Sequence, residues 1–312
     1  MLKFIFHRLL WGVPVLWCVA TITFIIMHIV PGGPFDAEKQ LPPEIKANVE
    51  KKYYLDKPLH EQYLLYLKNL LNGDFGPSYK YIGRSVNDVI SDTFPVSIRL
   101  GIIAFLISII TGVVAGVLSA SASDKAKWLD KISMFISIGG VSIPHFVLAA
   151  LLILIFSQTF HLFPPALWEG WKYTVLPAIS LAAAPAAYMA RVMRSSLIDV
   201  LNKDYIRTCY AKGLPLRKIL FKHALKNAAT PLITLSGPLL AGLITGSFVI
   251  EYIFSIPGMG KYFVTAVVNR DYPLIMGVTL IYAIIIVLAN LVVDLLYFII
   301  DPRIRRIGSL RQ

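Results

Sequence analysis

Charged residues and cysteine are both scarce in this sequence of 312 residues. Only 15% of the chain is Asp, Glu, Lys or Arg, against about a quarter in soluble domains, whereas 56% is hydrophobic. The two cysteines, Cys18 and Cys209, lie far apart in different surroundings, which excludes a disulfide scaffold. The shortage of charge excludes a soluble globule and a disordered chain. An integral membrane protein remains.

The sequence also lacks the residue clusters that enzymes need. Among its six histidines, no two have the spacing of metal ligands. His60-Glu61 begins a zincin-like pattern, but Leu64 stands where the second histidine would be. Gly258-Met259-Gly260-Lys261 resembles half of a phosphate loop, but Tyr262 stands where Ser or Thr is needed. We therefore predict that the chain has no catalytic residue, binds no cofactor and holds no metal.

Long apolar runs are abundant. A membrane-spanning helix needs about 20 mostly apolar residues, and six stretches qualify: 9–30, 97–120, 132–158, 173–193, 231–253 and 274–299. Pro177 and Pro185 make the fourth stretch the least regular. Small residues such as Gly112 and Gly116 suggest close helix contacts. We predict an all-α, polytopic membrane protein with six transmembrane helices.

Basic residues indicate the orientation in the membrane. The segment from Arg191 to Thr230 contains nine lysines and arginines and only two acidic residues. The loop around Lys125 and the C-terminal tail are also basic. By the positive-inside rule, six crossings place these regions and both termini in the cytoplasm. The formal net charge of +12 therefore reflects topology, and we predict no nucleic-acid partner.

The predicted organisation has four parts. Residues 1–30 form an N-terminal anchor helix, 31–96 an extracytoplasmic loop, 97–299 the main transmembrane domain with a cytoplasmic loop at about 194–230, and 300–312 a cytoplasmic tail. Apolar residues in the outer loop predict an amphipathic helix from about Pro58 to Leu71, with Gly73 as its stop. A weaker helix is predicted at 44–52. This loop is either a structural cap or a docking surface for an external partner.

The cytoplasmic loop predicts a helix, a sharp turn and a second helix. Glycine at position 213 permits a tight reversal, and Pro215 suits the first position of the next helix. The second helix alternates apolar residues such as Ile219 with basic residues such as Lys222. A short helix of this kind can dock into a groove of a partner protein, or lie on anionic lipid. The residues alone leave both interpretations open.

The same loop resembles the EAA loop of ABC importer permeases, which reads E-A-A, three residues, Gly, nine residues and I-x-L-P. Aligned on Gly213, the E-A-A positions fall on Arg207-Thr208-Cys209, and the last four on His223-Ala224-Leu225-Lys226. The glycine and the leucine match, whereas the acidic residue and the proline do not. Loops of the peptide-importer branch are closer to R-T-A-x-A-K-G-L, and the segment from Arg207 to Leu214 resembles that version.

Other segments extend the resemblance over most of the chain. The pattern E-x-x-F-x-x-P-G-x-G, expected on the periplasmic side, is matched by Glu251, Phe254, Pro257, Gly258 and Gly260. Residues 31–32, 73–78, 269–272 and 301–303 agree as well, as do Asp294 and Tyr297. Together these motifs identify the chain as resembling the B-type permease subunits of oligopeptide and dipeptide ABC importers, and most of all the oligopeptide branch.

The resemblance implies a type I ABC importer permease fold in the bacterial cytoplasmic (inner) membrane, surrounded by lipid. It implies half of a pore for oligopeptides, completed by a second permease subunit. Two cytoplasmic ATPase subunits would bind ATP and Mg and carry out hydrolysis, and an extracytoplasmic peptide-binding protein would deliver the substrate. The expected ATPase contacts are Arg207, Thr208, Cys209, Ala211, Lys212, Gly213, Leu214, Ala224 and Leu225.

Two other functions are compatible with the residues taken alone. An ion-coupled secondary carrier of peptides or other solutes would need ionisable groups within its spans. The candidates are few: Asp294, His28, Arg99 and Glu251. A structural or channel-like membrane protein would need none of them.

Overall fold

A computed structural model describes residues 2–31, 33–34, 51, 53–121, 128, 131, 135, 139–140, 142–245 and 248–300. The predicted helix at 44–52 lies almost wholly outside these residues. The described chain is mainly helical, with an isolated antiparallel bridge between Pro77 and Ser85. Its helices are α1 (Leu2–Ile29), α2 (Leu59–Leu71), α3 (Val86–Ala120), α4 (His145–Leu152), α5 (Trp171–Leu201), α6 (Asp204–Ala211), α7 (Leu216–Lys218), α8 (Leu225–Ala228), α9 (Thr230–Thr245), α10 (Phe248–Ile253), α11 (Met259–Asn269) and α12 (Tyr272–Ile300).

The membrane spans largely follow the predicted apolar runs. Five helical stretches are long and apolar enough to cross a bilayer: 5–29, 86–120, 171–201, 230–253 and 272–295. The predicted third span is described only in part, as α4 and a π-helix over Ile153–Thr159. This apolar segment of 145–159 is shorter than the five.

Two spans differ from the sequence prediction in length or regularity. α3 begins at Val86, ahead of the predicted span, because a more polar segment continues the same helix through Pro95. α5 runs unbroken through Pro177 and Pro185. Prolines within a membrane helix are tolerated where other groups satisfy the carbonyls that they leave free.

The chain divides into two compact units. The first contains residues 1–97 and 257–287, and the second contains residues 98–256 and 288–312. The first unit therefore combines two segments that are far apart in sequence. Its apolar core joins Val86 and Val89 of α3 to Met259 of α11 and to Leu274 and Val278 of α12.

Within the first unit, α2 packs against α1, which confirms the predicted amphipathic helix. The hydroxyls of Thr21 and Tyr63 are hydrogen-bonded at 2.7 Å, and the rings of Phe24 and Tyr63 lie 5.2 Å apart. The helix ends as predicted at Gly73, whose φ is +73°. The N–H groups of Gly73 and Asp74 close the last turn by donating to the carbonyls of Leu70 and Asn69, both at 3.0 Å.

The hydrogen bond between Thr21 and Tyr63 gives a test of this docking. We expect Tyr63→Phe to lower the free energy of unfolding by about 1 kcal/mol, because the Thr21 hydroxyl loses its side-chain partner while the ring packing is kept. Chemical unfolding in detergent, followed by circular dichroism, measures the change. Tyr252→Phe is the control, since Tyr252 is 72% exposed and its substitution should change nothing. Equal stability of the two variants would contradict the docking.

A buried carboxylate fixes the loop after α2 to the start of α12. Asp271, fully buried, accepts hydrogen bonds from the Ser78 hydroxyl at 2.5 Å and from the N–H groups of Tyr79 and Lys80 at 3.1 and 3.2 Å. It also accepts from the N–H of Leu274 at 3.4 Å and so caps the N-terminus of α12. One side chain thereby connects parts of the chain that are far apart in sequence.

In the second unit, glycines allow α3 and α5 to approach closely, as the small residues predicted. A Cβ atom at Gly116 would lie 2.6 Å from the Ala190 carbonyl oxygen, and one at Gly112 would lie 2.7 Å from Met189 Cβ. The Ser108 hydroxyl also donates across the same contact to the Ala182 carbonyl at 3.1 Å. These contacts hold α5 firmly, and the cytoplasmic loop follows directly after it.

Candidate functional site

The cytoplasmic loop forms the predicted helix and sharp turn, and Gly213 lies at the turn. α6 ends at Ala211 with Lys212 as its C-cap, and Gly213 follows with a φ of +70°. The N–H of Gly213 donates to the Tyr210 carbonyl at 2.9 Å, and that of Leu214 to the Cys209 carbonyl at 3.2 Å. This pair of bonds is a Schellman motif, which places a left-handed residue just after the helix. Glycine adopts that conformation without a steric penalty.

The second helix differs from the prediction at its start and in its middle. Pro215 precedes the helix as its N-cap, since its carbonyl accepts from the N–H groups of Lys218 and Ile219 at 2.9 and 3.1 Å. The sequence predicts Pro215 as the first helical residue, whereas in the structure the helix begins one residue after it. After α7 the chain forms a π-helix over Ile219–Ala224 before it continues as α8.

Apolar side chains anchor this helix–turn–helix on α5. Ile206 of α6 and Ile219 and Ala224 of the π-helix are fully buried, in one cluster with Met193 and Leu197 of α5. The loop is therefore a packed part of the second unit. A displacement of the loop would act directly on the end of a membrane-spanning helix.

A hydrogen bond also joins the two arms of the loop. The Asn227 side-chain amide donates to the Tyr205 hydroxyl at 2.8 Å. Asn227 belongs to α8 and Tyr205 to α6, so the bond closes the helix–turn–helix on the side away from Gly213. The two arms are thus linked both by the turn at Gly213 and by this bond.

The nine predicted contact residues divide into an outer and an inner set. The exposed set consists of Arg207, Thr208, Ala211, Lys212 and Gly213. The inner set packs against the cluster on α5: Cys209, Leu214 and Leu225 are half-buried, and Ala224 is fully buried. The structure thus gives the inner set a packing role, whereas the outer set is exposed; the prediction that these residues contact an ATPase stays a prediction.

Sequence reasoning missed a group of exposed apolar side chains on the same loop. Tyr205, Tyr210, Leu216 and Phe221 are 43%, 48%, 45% and 62% exposed. A shallow groove beside Phe221 is lined by Pro215, Arg217, Lys218 and Lys222. Phe221 could have been noticed, because it interrupts a basic stretch and lies away from the buried positions 219, 220 and 224. We call these four apolar residues the loop patch.

The second predicted motif is mostly buried. In the second unit, Glu251 and Phe254 are 0% and 1% exposed, and the Phe254 carbonyl accepts a hydrogen bond from the Leu167 N–H at 2.8 Å. In the first unit, Gly258 and Gly260 are buried and Pro257 is exposed. Within each unit, the buried residues of the motif therefore have a packing role, and Pro257 is the exposed one.

No metal centre is found in the part of the chain that the structure describes. Within those residues, no three His, Cys, Asp or Glu side chains come together as a set that could hold a metal ion.

The chain matches two families of known proteins along most of its length. Residues 112–306 match the family described as "Binding-protein-dependent transport system inner membrane component". Residues 1–101 match the N-terminal family of the same membrane components.

Curated relatives share nearly half of their residues with this chain. The oligopeptide transport system permease protein OppB of Haemophilus influenzae is 48% identical over 307 residues, which cover 98% of this chain and 100% of the relative. OppB of Escherichia coli is 47% identical over 98% of this chain and 100% of the relative. The dipeptide transport system permease protein DppB of Bacillus subtilis is 48% identical over 287 residues and 92% of each chain.

Two solved structures share the fold at low sequence identity. One is an amino acid ABC transporter crystallised with histidines, with a TM-score of 0.52 and 14% identity over 67% of this chain and 93% of the other. The second is the inward-facing MetNI methionine ABC transporter, with a TM-score of 0.51 and 16% identity over 69% of this chain and 96% of the other.

Proposed function

The chain belongs to the family of binding-protein-dependent transport system inner membrane components, and we propose that it forms half of the pore of an ATP-driven oligopeptide importer. It is a multi-pass protein of the cytoplasmic membrane, a permease subunit of an ABC importer, with the type I permease fold. Identity of 46–48% to oligopeptide permeases over 98% of the chain supports oligopeptides as the substrate. The alternative of an ion-coupled carrier finds no support in these relatives.

The proposal includes four partners that complete the transporter. A second permease subunit forms the other half of the pore, and an extracytoplasmic protein delivers the peptide. Two cytoplasmic ATPase subunits bind ATP and Mg and hydrolyse the nucleotide, so this chain has no catalytic role. The family description itself supports the binding protein, because it names a binding-protein-dependent system.

The loop patch is the observation that carries the coupling mechanism. Its exposed Phe221 ring, with Arg217, Lys218 and Lys222 lining the same groove, favours a protein groove that is apolar at its centre and acidic at its rim. Behind the patch, Ile206 and Ile219 anchor the loop to α5. Closure of the ATPase pair around ATP would therefore move the loop and α5 together, and bias the pore between inward- and outward-facing states.

Phe221 provides a direct test of this docking. We expect Phe221→Ala to weaken binding of the purified ATPase subunits to the reconstituted permease pair about fivefold, or about 1 kcal/mol, because an apolar anchor is lost at the interface. Sedimentation or fluorescence titration with permeases in nanodiscs measures the affinity. Tyr252→Ala removes an aromatic ring that is 72% exposed in α10 and should leave the affinity unchanged. If the two variants bind equally well, the loop patch lies on lipid and not on an ATPase.

A further inference from the structure

The first unit contains an aromatic cavity that the proposed function does not use. It has a volume of about 140 Å³ and lies among α1, α2, the loop of residues 75–79 and the start of α12. Eight aromatic and histidine rings line it, and six of them form an unbroken series with successive centroids 4.7, 6.3, 5.6, 4.2 and 6.1 Å apart. In that order they belong to Tyr53, Tyr79, Tyr272, His28, Phe24 and Tyr66.

One residue that lines the cavity, Tyr66, carries a buried hydroxyl. The Tyr66 hydroxyl has no hydrogen-bond partner among the described residues. Burial, with a smaller contribution from Tyr63, raises the pKa of Tyr66 to about 12, so the group is neutral at physiological pH and can accept a hydrogen bond. A buried polar group of this kind is usually satisfied. A ligand that donates a hydrogen bond would satisfy it.

The electrostatics of the cavity favour a positive charge. The described residues that line it include no lysine and no arginine. The carboxylate of Asp271 accepts from the Tyr79 N–H at 3.1 Å, and its negative charge adds to burial in raising the pKa of Tyr79. The faces of aromatic rings are also negative. At the edge of the cavity, the ammonium of Lys57 already lies 5.3 Å from the ring centroid of Tyr54.

We propose that this cavity binds a small alkylammonium group, as presented by the amino terminus or a lysine side chain of a peptide. Rings within about 6 Å of a cation attract it through their quadrupoles, and a cavity of about 150 Å³ holds a group of the size of benzene. The peptide assignment rests on the proposed function. A transporter of peptides of varied sequence gains from recognising the ammonium, because almost every free peptide carries one at neutral pH.

Binding of a simple cation tests the chemistry without any transport. The purified transporter complex is placed in nanodiscs of phosphatidylglycerol, whose headgroup has no ammonium, and titrated with n-butylammonium and with its neutral analogue n-butanol. We expect butylammonium to bind at least tenfold more tightly than butanol. Equal binding of the two would mean a merely apolar cavity and would overturn the proposal.

Two substitutions at one position assign the binding to this cavity. Tyr66→Leu should weaken butylammonium binding about tenfold, because a ring is lost. Tyr66→Phe keeps the ring, and should weaken butylammonium binding two- to threefold through loss of the hydroxyl. Tyr252→Leu, in the second unit, is the control without effect. Binding that is unchanged in both Tyr66 variants would place the cation elsewhere.

Competition identifies the source of the ammonium. Trialanine with a free amino terminus should displace butylammonium, whereas N-acetyl-trialanine amide should not. Displacement by phosphatidylethanolamine but not by the peptide would assign the cavity to a lipid headgroup and overturn the peptide assignment. Peptide uptake is measured in parallel in proteoliposomes. Peptide uptake without butylammonium binding would overturn the proposed ammonium site but not the transport function. Butylammonium binding without peptide uptake would overturn the proposed transport function but not the ammonium site.

Discussion

Peptide uptake should fall about 30-fold when Gly213 is replaced by valine, while the protein still inserts and assembles. The φ of +70° at this residue is strongly unfavourable for a β-branched side chain, at a cost of about 2 kcal/mol. Space is not the obstacle, since a Cβ atom at Gly213 would meet nothing within 4 Å. Valine would instead favour another turn, and 2 kcal/mol corresponds to about a 30-fold loss of the docking conformation.

Two controls separate the turn from other effects of the substitution. Gly213→Asn should transport nearly normally, because asparagine tolerates the left-handed conformation. Gly73→Val creates the same local strain, since Gly73 has a φ of +73°, the same pair of hydrogen bonds and no atom within 4 Å of a Cβ. It lies between α2 and α3, in the loop that is predicted to be extracytoplasmic, and should leave ATP hydrolysis coupled to uptake. Proteoliposomes in which uptake and hydrolysis are both measured give the result, and normal coupling in Gly213→Val would disprove the role of this turn.

Replacement of Asp271 by alanine should destabilise the protein by about 3–5 kcal/mol. The buried carboxylate accepts four hydrogen bonds, from Ser78, Tyr79, Lys80 and Leu274. Hydrogen bonds to a charged group are worth about 1.5–3 kcal/mol each, and buried donors left without a partner add to the cost. The cap of α12 is lost as well.

Unfolding in detergent by a chemical denaturant measures this effect. Asp271→Asn keeps an acceptor oxygen for the cap and should cost about half as much. Asp204→Ala removes a carboxylate that is 97% exposed and should change the free energy of unfolding by less than about 0.5 kcal/mol. An Asp271→Ala protein as stable as Asp204→Ala would mean that the carboxylate does not hold the loop to α12.

Sequence reasoning predicted features that are set by local rules. The bilayer imposes a length and a composition on each span, so the runs that became α1, α3, α5 and α12 could be recognised directly. The turn at Gly213 was also predictable, because a glycine shortly before a proline, at the end of an amphipathic stretch, is typical of a helix that ends in a left-handed residue.

Features that depend on the tertiary structure could not be predicted. The Asp271 network joins residues 78–80 to the start of α12, and no local pattern indicates that pairing. The π-helix over Ile219–Ala224 has no signal in apolar spacing, which is too coarse to separate it from an α-helix. Family resemblance marked Leu214 and Ala224 as contact residues, but only the packing against α5 shows that they are turned inward. The assignment of the outer set to an ATPase stays a prediction.

Photocrosslinking from position 221 tests whether the cytoplasmic loop docks on an ATPase subunit. A photoreactive amino acid replaces Phe221 in the complex in its native membrane, and a second sample carries it at Tyr252, where the side chain is also exposed. We expect the probe at position 221 to form a crosslink to an ATPase subunit with Walker motifs, identified by mass spectrometry, and the probe at position 252 to form none. If the probe at position 221 labels only lipid, in a sample from which both ATPases co-purify with the permease, the loop does not dock on an ATPase.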